Sequence, residues 1–384
     1  MFKFLFASFF LLFFSIKTFK KKGSFFYPSS FLFLLYFISV GLSLPHIFVN
    51  NETLSLNKEY FNSVIVFLVL LFMFIYPFYL YNEHKIKYII LPNQNLLKII
   101  SVSIVVISFL SIIVLMPGAI KAFSYTNLSD ARAGGRQIEE GNILTTIASL
   151  ASYLYSVANI INVFTYTGRD GIVFWLFSFI ATYGFFRNFL SKKDRSLVKR
   201  LLIIFSIIAV PLFWLITKDR FSDNPFAGIL SYLGQSVSNF ALSFHADYPV
   251  SYGASFPLFR RILGLEPIIP EVTLYGGTST NVFGTFLKSF LENYDLSGVI
   301  LIAIFMGLFI ICNFKNNKNG SFYFYQFFIY FLYFQIYSQG IFYFTFYSIS
   351  GNFFILLSFI LFYLFKFQNK FQNKNSLILQ QRNN

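Results

Sequence analysis

The chain has 384 residues, of which 56% are hydrophobic and 12% charged, and its formal net charge is +15 at pH 7. Soluble domains carry about 25% charged residues, so this composition excludes a soluble globular protein and requires lipid as solvent. A single cysteine, Cys312, leaves no intramolecular disulfide and no multi-cysteine metal site, and His46, His84 and His245 lie too far apart in sequence to suggest a metal centre. In a soluble chain the excess of Lys and Arg would point to nucleic acid; here it sits in short segments between apolar stretches, where membrane topology accounts for it. No metal, no cofactor and no nucleic-acid partner is expected.

In chain order, Phe2 to Phe19 reads as an uncleaved helix. Lys17, Lys20, Lys21 and Lys22 follow it where a signal peptide would carry small residues for cleavage. Further spans are expected from Ser29 to Val49, Tyr60 to Tyr81, Leu97 to Pro117, Ile172 to Leu190, Leu201 to Thr217, Ser297 to Asn313, Ser321 to Gly340 and Ile341 to Phe365, each near the length that crosses a bilayer. The expected fold is all-α, a polytopic transmembrane helical bundle of about 9 to 11 spans with a large extracytoplasmic loop of short helices and turns. Residues 1–217 would hold the N-terminal helices with an outer loop near 118–142, residues 218–296 the large loop, and residues 297–384 the C-terminal helices and a basic tail.

The basic segments Lys17 to Lys22, Lys85 to Lys98, Lys192 to Arg200, Lys315 to Lys318 and the tail from Lys366 are assigned to the cytoplasm by the positive-inside bias. Asn50 to Glu59, Lys121 to Glu140 and Lys218 to Asp295 then face outward. A full crossing by Asn142 to Phe164 would put the basic 192–200 segment outside, so that stretch is read as re-entrant, interfacial or broken, with Arg169 and Asp170 outside. Pro225, Pro249, Pro257, Pro267 and Pro270 exclude a single long helix over residues 218–295. The large loop has no counterpart in the other half of the chain, which counts against the inverted repeats of transporters.

Arginine is concentrated in the outward segments: Arg132, Arg136, Arg169, Arg220, Arg260 and Arg261. Its planar fork suits phosphate. Gly134 and Gly135 between Arg132 and Arg136 would let backbone amides approach an anion, although a basic turn at a lipid headgroup carries the same residues. Arg169 and Arg220 sit at helix ends where they could equally snorkel to the interface. For proton transfer the candidates are His245 with the nearby Asp247, and Glu266 and Glu271 beside a Pro-rich turn, the bland alternative being surface residues. The run from Tyr275 to Phe286, with Tyr275, Thr278 and Asn281, offers hydroxyls, an amide and exposed backbone of the kind that binds sugars, or simply a glycine-rich connector back to the membrane.

Taken in order, the Arg pair near Gly134 and Gly135, Gly168 to Gly171, Thr217 to Phe221, Ser231 to Gln235 with Asn239 and Phe240, Phe256 with Pro257, Gly276 to Thr278 through Gly284 to Phe286, and Asp295 to Gly298 resemble the Wzy-type oligosaccharide repeat unit polymerases of O-antigen and capsule synthesis. The resemblance covers most of the chain and rests on order and spacing. It implies a multi-pass protein of the bacterial inner membrane. Such a protein transfers a glycan from undecaprenyl diphosphate onto an incoming lipid-linked repeat unit, alongside a flippase and a chain-length regulator. In that chemistry the arginines would hold the diphosphate, and His245 or a carboxylate would serve as base. An O-antigen ligase shares the donor; a non-enzymatic flippase would also expose cations to diphosphate.

Overall fold

The computed structural model describes residues 2–49, 58–91, 94–124, 170–220, 225–245, 250–266, 268, 274–275, 278–279, 284–314 and 320–382. The expected re-entrant stretch Asn142 to Phe164 lies outside the described residues. Four helices open the chain: α1 (Phe2–Lys22), α2 (Pro28–Val49), α3 (Lys58–Leu80) and, after a short strand β1 (Tyr88–Ile90), α4 (Gln94–Ser124). Then come α5 (Asp170–Phe186), α6 (Lys192–Arg220), α7 (Pro225–His245) and the short α8 (Pro257–Ile262). A small hairpin, β2 (Leu274–Tyr275) with β3 (Thr278–Ser279), precedes α9 (Thr285–Asn313), β4 (Ser321–Tyr323), α10 (Phe324–Gln339) and α11 (Ile349–Arg382).

Among the described residues six helices are long and apolar enough to cross a membrane: α1, α2, α3, α4, α9 and α11. The protein is therefore a mostly helical bundle of membrane-spanning type. α4 exposes apolar side chains such as Val102, Val105, Phe109 and Ile113 on most of its surface, as a lipid-facing helix does. The interior is aromatic: Phe74, Phe78, Phe286, Tyr330 and Tyr337 are all fully enclosed, and the Tyr36 hydroxyl donates to the Tyr337 carbonyl at 2.7 Å.

Three expected boundaries are corrected. The basic segment from Lys192 is not a loop but the first turns of α6. Ser191 starts that helix, its hydroxyl accepting from the Asp194 amide at 3.1 Å and donating to the Asp194 carboxylate at 2.7 Å. The expected span from Ser321 begins as a strand, β4, paired in parallel with β1 from Tyr88↔Ser321 to Ile90↔Tyr323. The expected span from Ile341 becomes helical only at Ile349, because residues 340–348 turn back into the bundle, where Ile341, Phe342, Phe344 and Phe346 are buried.

Within residues 218–296, expected as short helices and turns, α7 runs for 21 residues and packs along α2 and against α3 and α9. The approach to α2 is close because small residues line it. Ser39 and Ser43 donate to the Leu233 and Gly234 carbonyls, each at 2.7 Å, a pattern that lets membrane helices pack backbone to backbone.

The lysine-rich segments gather at one end of the bundle. There Lys22 at the end of α1 pairs with Glu83 after α3 at 2.6 Å, both side chains fully buried. The Lys87 amide donates to the Gly320 carbonyl at 2.8 Å, Arg187 beyond α5 reaches Ser24 at 2.8 Å, and Lys366 on α11 reaches Asn313 at the end of α9 at 2.9 Å. α9 starts away from that end.

Candidate functional site

α9 is not one straight rod. The ring of Phe286 lies 5.2 Å from that of Phe74, while a Cβ on Gly307 would lie 3.2 Å from Pro77. Phe74 and Pro77 are about one turn apart on α3, whereas residues 286 and 307 of a straight helix would be about 31 Å apart. The two halves therefore fold back beside each other, and the reversal is at Asp295, whose φ of 58° and ψ of 175° are non-helical. The second half fits the expected span Ser297 to Asn313. The first half, Thr285 to Tyr294, is a re-entrant arm that begins inside the protein: Thr285, Phe286, Leu287, Lys288, Phe290 and Asn293 are buried.

The arm carries charge where an apolar helix would carry none. Lys288 is 3% exposed and lies 3.2 Å from the Oε1 of Glu292 one turn on; the Glu292 side chain is 28% exposed against 4% for Lys288. The stem of Lys288 lies across Gly284, where a Cβ would meet the lysine Cδ at 2.0 Å. A charged pair inside a spanning bundle is costly, which makes the arm a candidate functional site.

Two buried asparagines bind residues 250–266, one to this arm and the other to α11. Asn293 donates to the Ser255 hydroxyl at 2.8 Å and accepts from the Ser255 amide at 2.9 Å. Asn352, on α11, accepts from the Leu258 amide at 3.1 Å and donates to the Phe346 carbonyl at 2.6 Å. The Ser251 amide donates to the Glu292 carbonyl at 2.8 Å, and the next residue, Tyr252, takes Nη1 of Arg260 on its own carbonyl at 2.7 Å. The main chain of Glu292 and the side chain of Arg260 are thus tied to two consecutive residues, Ser251 and Tyr252.

Backbone strain concentrates in the same place. The non-glycine residues with positive φ among those described are Tyr252 at 43°, Thr285 at 58° and Asp295 at 58°. Such conformations cost roughly 1–3 kcal/mol each and persist where the surroundings enforce them, most often at functional sites.

Of the residues singled out from the sequence, Arg260 belongs to this site. Its Nε also donates to the Glu266 carbonyl at 2.7 Å, so two of its donors hold backbone in place. Arg261 and Glu266 are exposed beside it. Arg220 ends α6 and His245 ends α7, while Tyr275 pairs with Thr278 in the β2–β3 hairpin. Arg132, Arg136, Arg169, Asp247, Glu271 and Asn281 lie outside the described residues. Sequence reasoning missed Lys288, Glu292, Asn293 and Asn352. The signal for the first two was present, since Lys288 and Glu292 stand at i and i+4 just ahead of a long apolar run.

No protein-family model, curated protein or solved structure matches the chain. A half-buried carboxylate with a buried ammonium behind it can accept a proton from a hydroxyl, and an arginine on the adjoining segment can neutralise an anion.

Proposed function

We propose that the protein polymerises undecaprenyl-diphosphate-linked oligosaccharide repeat units at the outer face of the bacterial inner membrane. The observation that supports this most is the separation of charge along the bundle. Lysine-rich segments with a closed Lys22–Glu83 pair gather at one end, and the strained re-entrant arm with Lys288 and Glu292 lies away from them. By the positive-inside bias the first end faces the cytoplasm and the arm is reached from outside, the side on which lipid-linked glycans are polymerised.

The chemistry fits a site built from cations and carboxylates. Transfer breaks the bond between an anomeric carbon and a diphosphate oxygen, so negative charge grows on the leaving group and fixed cations stabilise it. Arg260 and Arg261 with Arg132, Arg136, Arg169 and Arg220 supply that charge, and Tyr275, Thr278 and Asn281 meet the glycan. The activated diphosphate makes a metal or nucleotide unnecessary. A flippase that delivers the repeat unit and a chain-length regulator are the implied protein partners.

The test is the surface glycan of a deletion strain. Loss of long chains with one repeat unit still attached supports the polymerase. Loss of every attached unit refutes it in favour of a ligase or a flippase.

A further inference from the structure

The re-entrant arm identifies a proton acceptor that none of the sequence candidates supplies. Resting on the polymerase reading above, we propose that Glu292 is the base that removes the proton of the acceptor sugar hydroxyl, and that Lys288 positions it.

Glu292 has the exposure such a role requires. Its side chain is 28% exposed, open to a substrate yet shielded from bulk water, whereas Asp295 at the turn is exposed and Lys288 behind it is 4% exposed. The 3.2 Å contact with Lys288 fixes the direction of the carboxylate along the arm. Its main chain is held by Ser251, whose amide and hydroxyl both donate to the Glu292 carbonyl, at 2.8 and 3.1 Å. Arg260 is anchored on the neighbouring Tyr252, so a cation for the diphosphate and a base for the hydroxyl are set on one short stretch of chain. Helix stability does not account for the pair, because a lysine N-terminal to a glutamate at i,i+4 is the less favourable order.

The step balances without a co-reactant. The acceptor O–H proton passes to a Glu292 carboxylate oxygen, and the acceptor oxygen forms a bond to the anomeric carbon. The bond from that carbon to the diphosphate oxygen breaks with its electron pair, leaving undecaprenyl diphosphate as an anion. Glu292 then returns its proton to water.

Purified full-length protein in lipid nanodiscs, given the undecaprenyl-diphosphate-linked repeat unit from a strain lacking this protein, tests the assignment. Glu292→Gln keeps the size and a hydrogen bond for Lys288, and it is expected to lower kcat on the order of a hundredfold or more with KM within a few-fold. Glu292→Ala is expected to regain part of its rate when formate is added, which a structural role would not produce. Lys288→Met is expected to lower kcat, with Lys288→Arg restoring part of it. If either single variant fails to fold, the charge-free pair Lys288→Gln/Glu292→Gln replaces it and is expected to be inactive. Wild-type elongation with Glu292→Gln or the double variant within threefold of it overturns the role of Glu292 and leaves the polymerase reading standing. Absence of elongation by the wild type overturns both.

Discussion

Replacing Glu83 by Gln removes the countercharge of a lysine that the bundle encloses completely. Lys22 Nζ donates to Ser29 Oγ at 2.5 Å, to the Phe78 and Tyr81 carbonyls at 3.2 and 2.7 Å, and to Glu83 Oε2 at 2.6 Å, and neither ionic side chain has any exposed surface. Glu83 in turn accepts from Ser29 at 3.2 Å and from the Tyr330 hydroxyl. The pair joins α1, α2, α3 and α10 and caps the last carbonyls of α3. Breaking a buried pair from one side leaves an uncompensated charge and costs about 3–5 kcal/mol, which is roughly two to three and a half powers of ten in the folded-to-unfolded ratio. Glu83→Gln and Lys22→Met are each expected to show that loss in denaturant unfolding of the purified protein. The double variant Lys22→Met/Glu83→Gln is expected to cost clearly less than the sum, because it removes both charges together. Single losses below about 1 kcal/mol, the value of an exposed pair, or a double variant that is simply additive, would refute the enclosed-pair argument.

Three further outcomes are expected. At Gly234 a Cβ would sit 2.5 Å from the Leu42 carbonyl oxygen, so Gly234→Leu should separate α7 from α2 and cost about 1–3 kcal/mol or more in the same unfolding assay; a neutral result rules out the close approach. Asp295→Gly should raise stability by about 1 kcal/mol, since glycine adopts positive φ freely, while Asp295→Ala should bring no gain; lower stability in the glycine variant contradicts strain at the turn. In a Cys312→Ser background, Tyr252→Cys should react with an impermeant maleimide on intact cells and Lys193→Cys only after permeabilisation, and the reverse pattern would invert the orientation proposed for the bundle.

Much of the spanning framework was legible because length and apolarity are local properties. Helices α2, α3 and α4 fall where the apolar runs predict, and the lysine clusters that bound them mark one end. Tertiary features were not legible. Residues 341–348 are as apolar as the helices that flank them, so hydropathy continues the span through a segment that turns back into the core. α7 is rich in Ser and Gly, which reads as short helices and turns from composition, yet those small side chains are what allow it to lie against α2. The arm suffers from the same ambiguity: Thr285, Lys288, Glu292 and Asp295 lower its hydropathy toward that of a connector, and nothing local shows that it folds back inside the protein. For the site, Arg260 was visible as an arginine near a proline-rich turn, whereas Asn293 and Asn352 acquire meaning only when α9, α11 and residues 251–258 meet.

The arm and the segment after α10 are also each other's condition. A helix that begins in an apolar interior presents amides with no intrahelical partner, and a buried irregular segment presents carbonyls with none; each unsatisfied group would cost on the order of 1–3 kcal/mol. Here the amides of Gly284 and Thr285 donate to the Phe342 carbonyl at 2.8 and 3.0 Å, and that of Phe286 donates to the Gly340 carbonyl at 2.8 Å. The break after α10 therefore supplies the acceptors that the start of α9 needs. Glycine at 340 permits the contact, because a Cβ there would meet the Phe286 side chain at 2.7 Å and the Ile336 carbonyl oxygen at 2.2 Å. Non-helical backbone is tolerated here because protein buries Gly340, Ile341 and Phe342. The consequence is a rigid base for the arm: Lys288 and Glu292 project from the first turns of a helix whose origin is fixed by three backbone hydrogen bonds and whose far end is fixed by Ser251 and Ser255, so the charged pair is held at both ends.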